Sequence, residues 1–149
     1  MLGASIVDDP ALQRCVLMIL ESQDQDVRIR RTDSIQAVMV EAILFLSHEG
    51  FRRQARIGEI ATIANGILKG RGENFELDPR EVGNHVRALG FFSERLGRAG
   101  RGIRFTSAIR RTIHELAQAY DVRTELENPS CEFCSELRSR AGEAPKREN

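Results

Sequence analysis

The chain has 149 residues, 41% of them hydrophobic and 30% charged, which suits one globular domain with tails and excludes a disordered or fibrous chain. Its longest apolar run is the six residues Cys15 to Leu20, far short of the roughly 18 needed to span a bilayer, and this excludes a transmembrane helix. The formal net charge is zero, so any preference for a polyanion has to come from how the charges are distributed.

That distribution is uneven. Residues 1–50 carry four basic against eight acidic side chains, residues 51–112 thirteen against six, and residues 113–149 five against eight, giving −4, +7 and −3. Lys69 and Lys146 are the only lysines among the 22 basic residues. The positive middle is thus an arginine surface, and the planar guanidinium fork suits phosphates and guanine edges. The opening "MLGASIVDDP" shows neither a basic n-region nor an apolar h-region, and three cysteines are an odd count for a disulfide framework. A soluble, cytoplasmic protein is expected.

In chain order, Asp9 as N-cap and Pro10 at the first helical position open a short helix whose Leu12, Val16, Ile19 and Leu20 are spaced to be buried. "QDQDVRIRR" then reads as a linker or a short exposed strand. A second helix begins at Asp33 or Ser34, carries Ile35, Val38, Ala42, Phe45 and Leu46 on one face, and stops at Gly50. It should form the centre of the core. Ile57, Ile60, Ile63, Ala64 and Ile67 mark a helix from about Gly58 to Leu68.

The strongest cap follows: Asp78 as N-cap, Pro79 at the first position and Glu81 at the third form a capping-box pattern. This helix, 79–89, should bury Val82, Val86 and Leu89 and end at a left-handed Gly90. "FFSERL" and "GIRFT" then suggest a β-hairpin across 93–104 with a glycine- and arginine-rich tip. Thr106 caps a last helix with Ile109, Ile113, Leu116, Ala117 and Tyr120 on one face. The expected organisation is an N-terminal helix and linker over 1–32, a domain over 33–122, and a flexible C-terminal tail over 123–149 that contains a Cys-x-x-Cys pair.

The order helix, helix, capped helix, basic hairpin, helix over residues 33–122 resembles the winged-helix family, a helix-turn-helix variant whose hairpin is the wing. The resemblance covers some 90 of 149 residues and rests on element order rather than on an invariant signature. In that family a short strand often lies between the first two helices, and Ala55–Ile57 is placed to be one. The connection "KGRGENFEL" is longer than the tight turn of simple helix-turn-helix proteins. The fold class expected is therefore mainly α with a small β-hairpin, a winged helix-turn-helix with an extra N-terminal helix.

What the resemblance implies is binding of double-stranded DNA, with the helix at 79–89 in the major groove and the wing at 93–104 on the adjacent backbone or minor groove. Side-chain direction agrees in type: Arg80, Asn84 and Arg87 lie opposite the Val82, Val86, Leu89 stripe, and Arg pairs with guanine as Asn pairs with adenine. In the wing, Arg95, Arg98, Arg101 and Arg104 bracket Gly97, Gly100 and Gly102, and arginine is favoured in narrow minor grooves. A solvated basic face is the plainer alternative for the helix trio alone. A transcriptional regulator acting as a homodimer on a palindromic site is expected, with pairing through Leu12–Leu20 or the last helix. The alternative is a winged-helix adaptor that binds protein in a replication or regulatory assembly.

Other motifs carry less. Cys131 and Cys134 have the spacing of half a zinc site, with no second pair in the sequence and only His114 and Cys15 suggested by type. Two ordinary thiols and no cofactor are expected; zinc there would need a dimer-bridging arrangement to reach four ligands. "GRAGRG" sits in a hairpin rather than between strand and helix, and "GILKGRGEN" lacks the ending of a P-loop. His48, His85 and His114 are scattered singly, and no hydrolase or metalloprotease motif is present, so no enzyme is expected.

Overall fold

The computed structural model describes residues 10–122 and 128–142, without the side chains of residues 24, 25, 27–33 and 141. Its contacts divide the chain into two units, residues 1–35 and 36–149. Helix α1 runs Pro10–His48, α2 Ile57–Gly70, α3 Pro79–Ala88, α4 Ser107–Ala119 and α5 Glu132–Gly142. Strands β1 (Gln54–Arg56), β2 (Glu94–Arg95) and β3 (Arg101–Arg104) form an antiparallel sheet in the order β1-β3-β2. The molecule is thus mainly helical with a small hairpin, as expected. Among the described residues no helix is long and apolar enough to cross a membrane.

Three expectations about the ends of the chain are corrected. The segment read as a linker is helix; no Gly or Pro interrupts residues 11–48, so α1 runs straight through it. Ser34 therefore starts nothing. Leu12, Val16, Leu17, Met18, Ile19 and Leu20 of the first unit are exposed, not buried, while the expected cap Asp9 lies outside the described residues. At the other end the expected flexible tail is, over Glu132–Gly142, a helix with Cys131, Phe133 and Cys134 buried beside it. Residues 123–127 and 143–149 of that tail lie outside the described residues.

Within the second unit, α1 contributes the most apolar segment. Val38, Met39, Val40, Ala42, Ile43, Leu44 and Leu46 are all buried, so its end is enclosed on more than one face, although Phe45, expected inside, is 41% exposed. Ile57, Ile60, Ala64 and Leu68 of α2 meet this core, as do Val82 and Val86 of α3, Ile103 of β3 and Ile113 of α4. Arg52 and Glu59 join the turn after α1 to the first turn of α2, where Glu59 also accepts the Arg56 N–H at 2.9 Å.

The long connection between α2 and α3 is fixed by one side chain. Asn65 accepts the Leu77 N–H at 2.8 Å and donates to the Leu77 carbonyl at 2.9 Å, a strand-like pair that brings the loop back onto α2 just before α3. Asp78 and Glu81 then close the capping box reciprocally, Glu81 N–H to Asp78 Oδ1 at 2.8 Å and Asp78 N–H to Glu81 Oε2 at 2.9 Å. The helix stops one residue earlier than expected, at Ala88, with Leu89 as C-cap. Gly90 takes φ +92°, and its N–H and that of Phe91 bond back to Arg87 and Val86, the pairing of a Schellman motif.

The sheet depends on a close approach at Gly102, which sits in the middle strand opposite Arg56 and Glu94. A Cβ there would meet the Ala55 carbonyl oxygen at 2.2 Å and Leu96 Cδ1 at 2.5 Å. Backbone cannot yield to that contact without breaking the β1–β3 pairing. Gly102→Ala should therefore lower stability by at least about 3 kcal/mol. By contrast Gly66→Ala, at an exposed position of α2 with nothing near its Cβ, should raise stability by about 0.5–1 kcal/mol. Urea midpoints of the two variants against wild type, at unchanged slope, test the pair of signs.

Candidate functional site

Two constellations stand out in the second unit. The first is a cleft of about 760 Å³ where α2, α3 and the hairpin meet. Arg80, Asn84 and Arg87 line it from α3, spaced so that the cap at Asp78 and the apolar stripe of Val82 and Val86 turn them outward together. Arg101 and Ser93 line it from the hairpin, and Arg56, Gly58 and Thr62 from the start of α2.

Arginines in this region divide by what they do. Arg104 pairs with Glu94 across the hairpin, and Arg52 pairs with Glu49 and Glu59. Arg80, Arg87, Arg95, Arg98 and Arg101 make no ion pair among the described residues. Arg101 is nonetheless held, its guanidinium donating to the Ser93 carbonyl at 3.0 Å and to Ser93 Oγ at 3.3 Å. Of the expected wing residues, only Arg101 lines the cleft; Arg95 is exposed on β2, Arg98 sits in the turn Gly97–Ala99, and Arg104 is paired.

Two acidic side chains near the cleft are occupied elsewhere. Glu81 turns back to the cap of α3. Glu59 lines the cleft, but the Arg56 backbone N–H, with the Arg52 guanidinium behind it, holds its carboxyl below the usual range. Its charge is compensated where it stands. Arg56 and Thr62 were not anticipated from the sequence; position at a helix start opposite α3 is a tertiary property with no local signal.

The second constellation joins residues that the sequence scatters. His48 ends α1, His114 lies in α4, and Cys131 and Cys134 flank the first turn of α5. Their four donor atoms lie within 4.8 Å of one another, an arrangement that can hold a metal ion. His114 Nε2 is 3.1 Å from His48 Nε2, 3.4 Å from Cys131 Sγ and 3.3 Å from Cys134 Sγ, and Cys134 Sγ is 3.5 Å from His48 Nε2. His114, Cys131 and Cys134 are buried and His48 half-buried. No cysteine is in a disulfide.

One residue positions this cluster. The Arg110 guanidinium donates to the Ser47 carbonyl at 2.7 Å and to the Arg52 carbonyl at 2.5 Å, clasping the turn that follows α1 to the first turns of α4. One helical turn on, His114 Nδ1 stands 2.6 Å from the Arg110 carbonyl oxygen. A carbonyl only accepts, so Nδ1 carries the proton and Nε2 presents its lone pair to the cluster. Burial pushes the His114 imidazole below its ordinary value; the Arg110 carbonyl opposes this and the Arg110 charge adds to it. The neutral, Nδ1-protonated ring is the form a metal takes.

The geometry places the Cys131 and Cys134 thiols beside two histidines of the same chain, so four candidate donors stand together without a second chain. Cys15, suggested by type, is exposed on α1 and takes no part. His85 stays apart from both constellations, half-buried on α3.

Replacing Arg110 by Met keeps most of the stem and removes the donors, leaving the Ser47 and Arg52 carbonyls without their partner. Two charge-assisted hydrogen bonds predict a loss of about 3 kcal/mol, several times the effect of an exposed pair such as Arg104 with Glu94. Chemical denaturation of Arg110→Met beside Arg104→Met checks that ranking.

No family model matches this chain, and no curated protein or solved structure is detectably similar to it.

Proposed function

We propose that residues 33–122 act as a winged-helix module that binds double-stranded DNA, with α3 as the recognition helix and the β2–β3 hairpin as the wing. One observation carries the reading. Arg80, Asn84 and Arg87 of α3 share a concave surface with Arg101 of the hairpin and Arg56 at the start of α2, and the cleft arginines of α3 and the hairpin make no ion pair among the described residues. Side chains that fork to phosphate and to guanine, beside an amide suited to adenine, are the types that groove recognition uses.

The start of α2 adds to this, because Ile57, Gly58 and Glu59 line the cleft. A helix N-terminus favours phosphate oxygens through its unsatisfied N–H groups and its dipole. Arg95 and Arg98 extend the positive surface to the hairpin tip, where a phosphate backbone or a narrow minor groove would lie. In this reading the protein is a transcriptional regulator and requires neither catalysis nor a nucleotide.

A second reading, protein docking within a larger assembly, is favoured by Phe92, which is 82% exposed just beyond α3. An aromatic ring left in water at the edge of a recognition surface is a usual anchor of protein interfaces. Salt separates the two readings. Binding to a random-sequence duplex through about five phosphates should weaken with a log–log slope near −4.5, and each lost phosphate contact should take about 0.9 from it. Fluorescence anisotropy at two salt concentrations should show that slope in wild type. Both Arg80→Ala with Arg87→Ala and Arg98→Ala with Arg101→Ala should reduce it. Absence of binding at low salt would sink the DNA reading and leave the Phe92 surface as the place to look for a protein partner.

The homodimer that a palindromic site requires is proposed to form through α1, by like faces of two copies meeting. Leu17, Met18, Ile19 and Leu20 are 55–69% exposed in succession, an apolar patch that a monomer would leave in water. Leu17→Glu with Leu20→Glu should convert a sedimenting dimer to a monomer. A wild-type chain that sediments as a monomer at tens of micromolar removes this part of the proposal.

A further inference from the structure

We infer that His48, His114, Cys131 and Cys134 form a closed tetrahedral Zn²⁺ site within one chain, and that the ion fastens α5 to the rest of the second unit. This inference does not rest on DNA binding, since the cluster and the cleft share no residue.

Distances come first. A tetrahedral ion with bonds of about 2.05 Å to nitrogen and 2.3 Å to sulfur has edges of about 3.3 Å between two nitrogens and about 3.6 Å between nitrogen and sulfur. The cluster gives 3.1 Å between the imidazole nitrogens and 3.3, 3.4 and 3.5 Å for three nitrogen–sulfur pairs. Four of the six edges thus lie within a few tenths of an ångström of such a polyhedron's, and all four donors lie within 4.8 Å of one another. Direct hydrogen bonding does not account for it: His114 Nε2 has one lone pair and three polar neighbours within 3.5 Å. Three groups cannot all donate to one lone pair, whereas an ion at the centre satisfies all four donors at once.

Charge and ligand type narrow the ion. Two thiolates, two neutral imidazoles and a divalent cation sum to zero, so the site can be buried without an unpaired charge. Tetrahedral S₂N₂ coordination selects zinc or iron–sulfur chemistry. A two-iron cluster with His₂ and Cys₂ ligation places the histidines on one iron and the cysteines on the other. Here each kind interleaves with the other, Cys134 Sγ lying 3.3 and 3.5 Å from the two imidazole nitrogens, which suits a single ion. With four protein ligands no position stays open for substrate, so the role is structural.

What the ion would hold follows from the topology. His48 and Cys134 are 86 residues apart and His114 and Cys134 are 20 apart, so the site closes two loops through α1, α4 and α5. Among the described residues the buried side chains of α5 and that just before it are Cys131, Phe133 and Cys134, with the Phe133 ring beside His114 and below Arg111. Two of the three buried side chains are ligands, so the helix docks largely through the metal.

The test uses the untagged full chain, stripped of metal under reducing conditions and titrated with Co²⁺. The expected result is the intense visible spectrum of tetrahedral cobalt, complete at one equivalent per chain and bleached by one equivalent of Zn²⁺. His48→Gln and Cys134→Ser should each weaken binding by more than about 100-fold, beyond the 10–100-fold typical of changes outside the ligand sphere, while Cys15→Ser should leave it unchanged. Hydrogen exchange over residues 128–142 should speed up at least tenfold on metal removal and recover on adding Zn²⁺.

A weak octahedral spectrum or none in the wild-type chain would overturn the site, a result that stands even if a variant fails to fold. Saturation at half an equivalent would replace it with a bridge between chains. Metal binding abolished by Cys15→Ser but not by Cys134→Ser would mark it as adventitious. Exchange over 128–142 that ignores the metal would remove the fastening role.

Discussion

The second unit is organised around Arg110. Its guanidinium spans the Ser47 and Arg52 carbonyls, on either side of the turn that ends α1 and leads into β1, and its ring neighbour is Phe105, between β3 and the cap of α4. Those carbonyls belong to a helix end and a tight turn, places where backbone acceptors lack partners of their own. A residue that satisfies them from another element fixes where that element lies. The Phe105 N–H bonded to the Arg53 carbonyl at 2.8 Å continues the same join, so β3 and α4 are set against the turn together. The orientation of His114, one turn further along α4, is a consequence.

From that join the structure runs two ways. Toward β3 it closes the three-stranded sheet over Gly102 and brings Arg101 to the cleft beside α3. Toward α4 it brings His114 to His48 and, through them, Cys131 and Cys134. The two constellations thus depend on one piece of packing while sharing no side chain. The cleft keeps its guanidinium groups exposed, where desolvation is small, and the cluster is buried, where four polar atoms must satisfy one another or a common ion.

Much of the cleft was legible in the sequence because its signals are local. Asp78, Pro79 and Glu81 announce a helix start within four residues, and the start in turn decides which side chains face outward, so the sequence alone places Arg80, Asn84 and Arg87 on one side. Gly90 marked the stop. The roles of Arg95 and Arg104 were less legible. Both are basic and both flank the turn, but Arg104 pairs with Glu94, and pairing across a hairpin depends on register, which a turn of uncertain length does not reveal. The N-terminal helix misled for the opposite reason: spacing of Leu12, Val16, Ile19 and Leu20 predicts an apolar face, and periodicity cannot say whether anything covers it.

The metal-type cluster shows where local reading stops. A Cys-x-x-Cys pair is visible, but its partners sit 17 and 83 residues before Cys131, each as an isolated histidine that a sequence reading assigns to a helix end or an apolar face. Those assignments are correct: His48 does end α1, and His114 does lie against the core. What no single segment can disclose is that the two places are the same place. Arg110 ties the turn after α1 to α4 at that place, and its own signal is only one arginine among 22 basic residues. A helix as charged as α5, with only Cys131, Phe133 and Cys134 buried at its start, supplies a second reason to look beyond the pair. Two cysteines and one phenylalanine offer modest apolar area against the entropy of ordering eleven residues, of order 1 kcal/mol or more per residue. A single ion held by the cluster would add to that area in one step, because it would engage both thiols and both distant histidines at once.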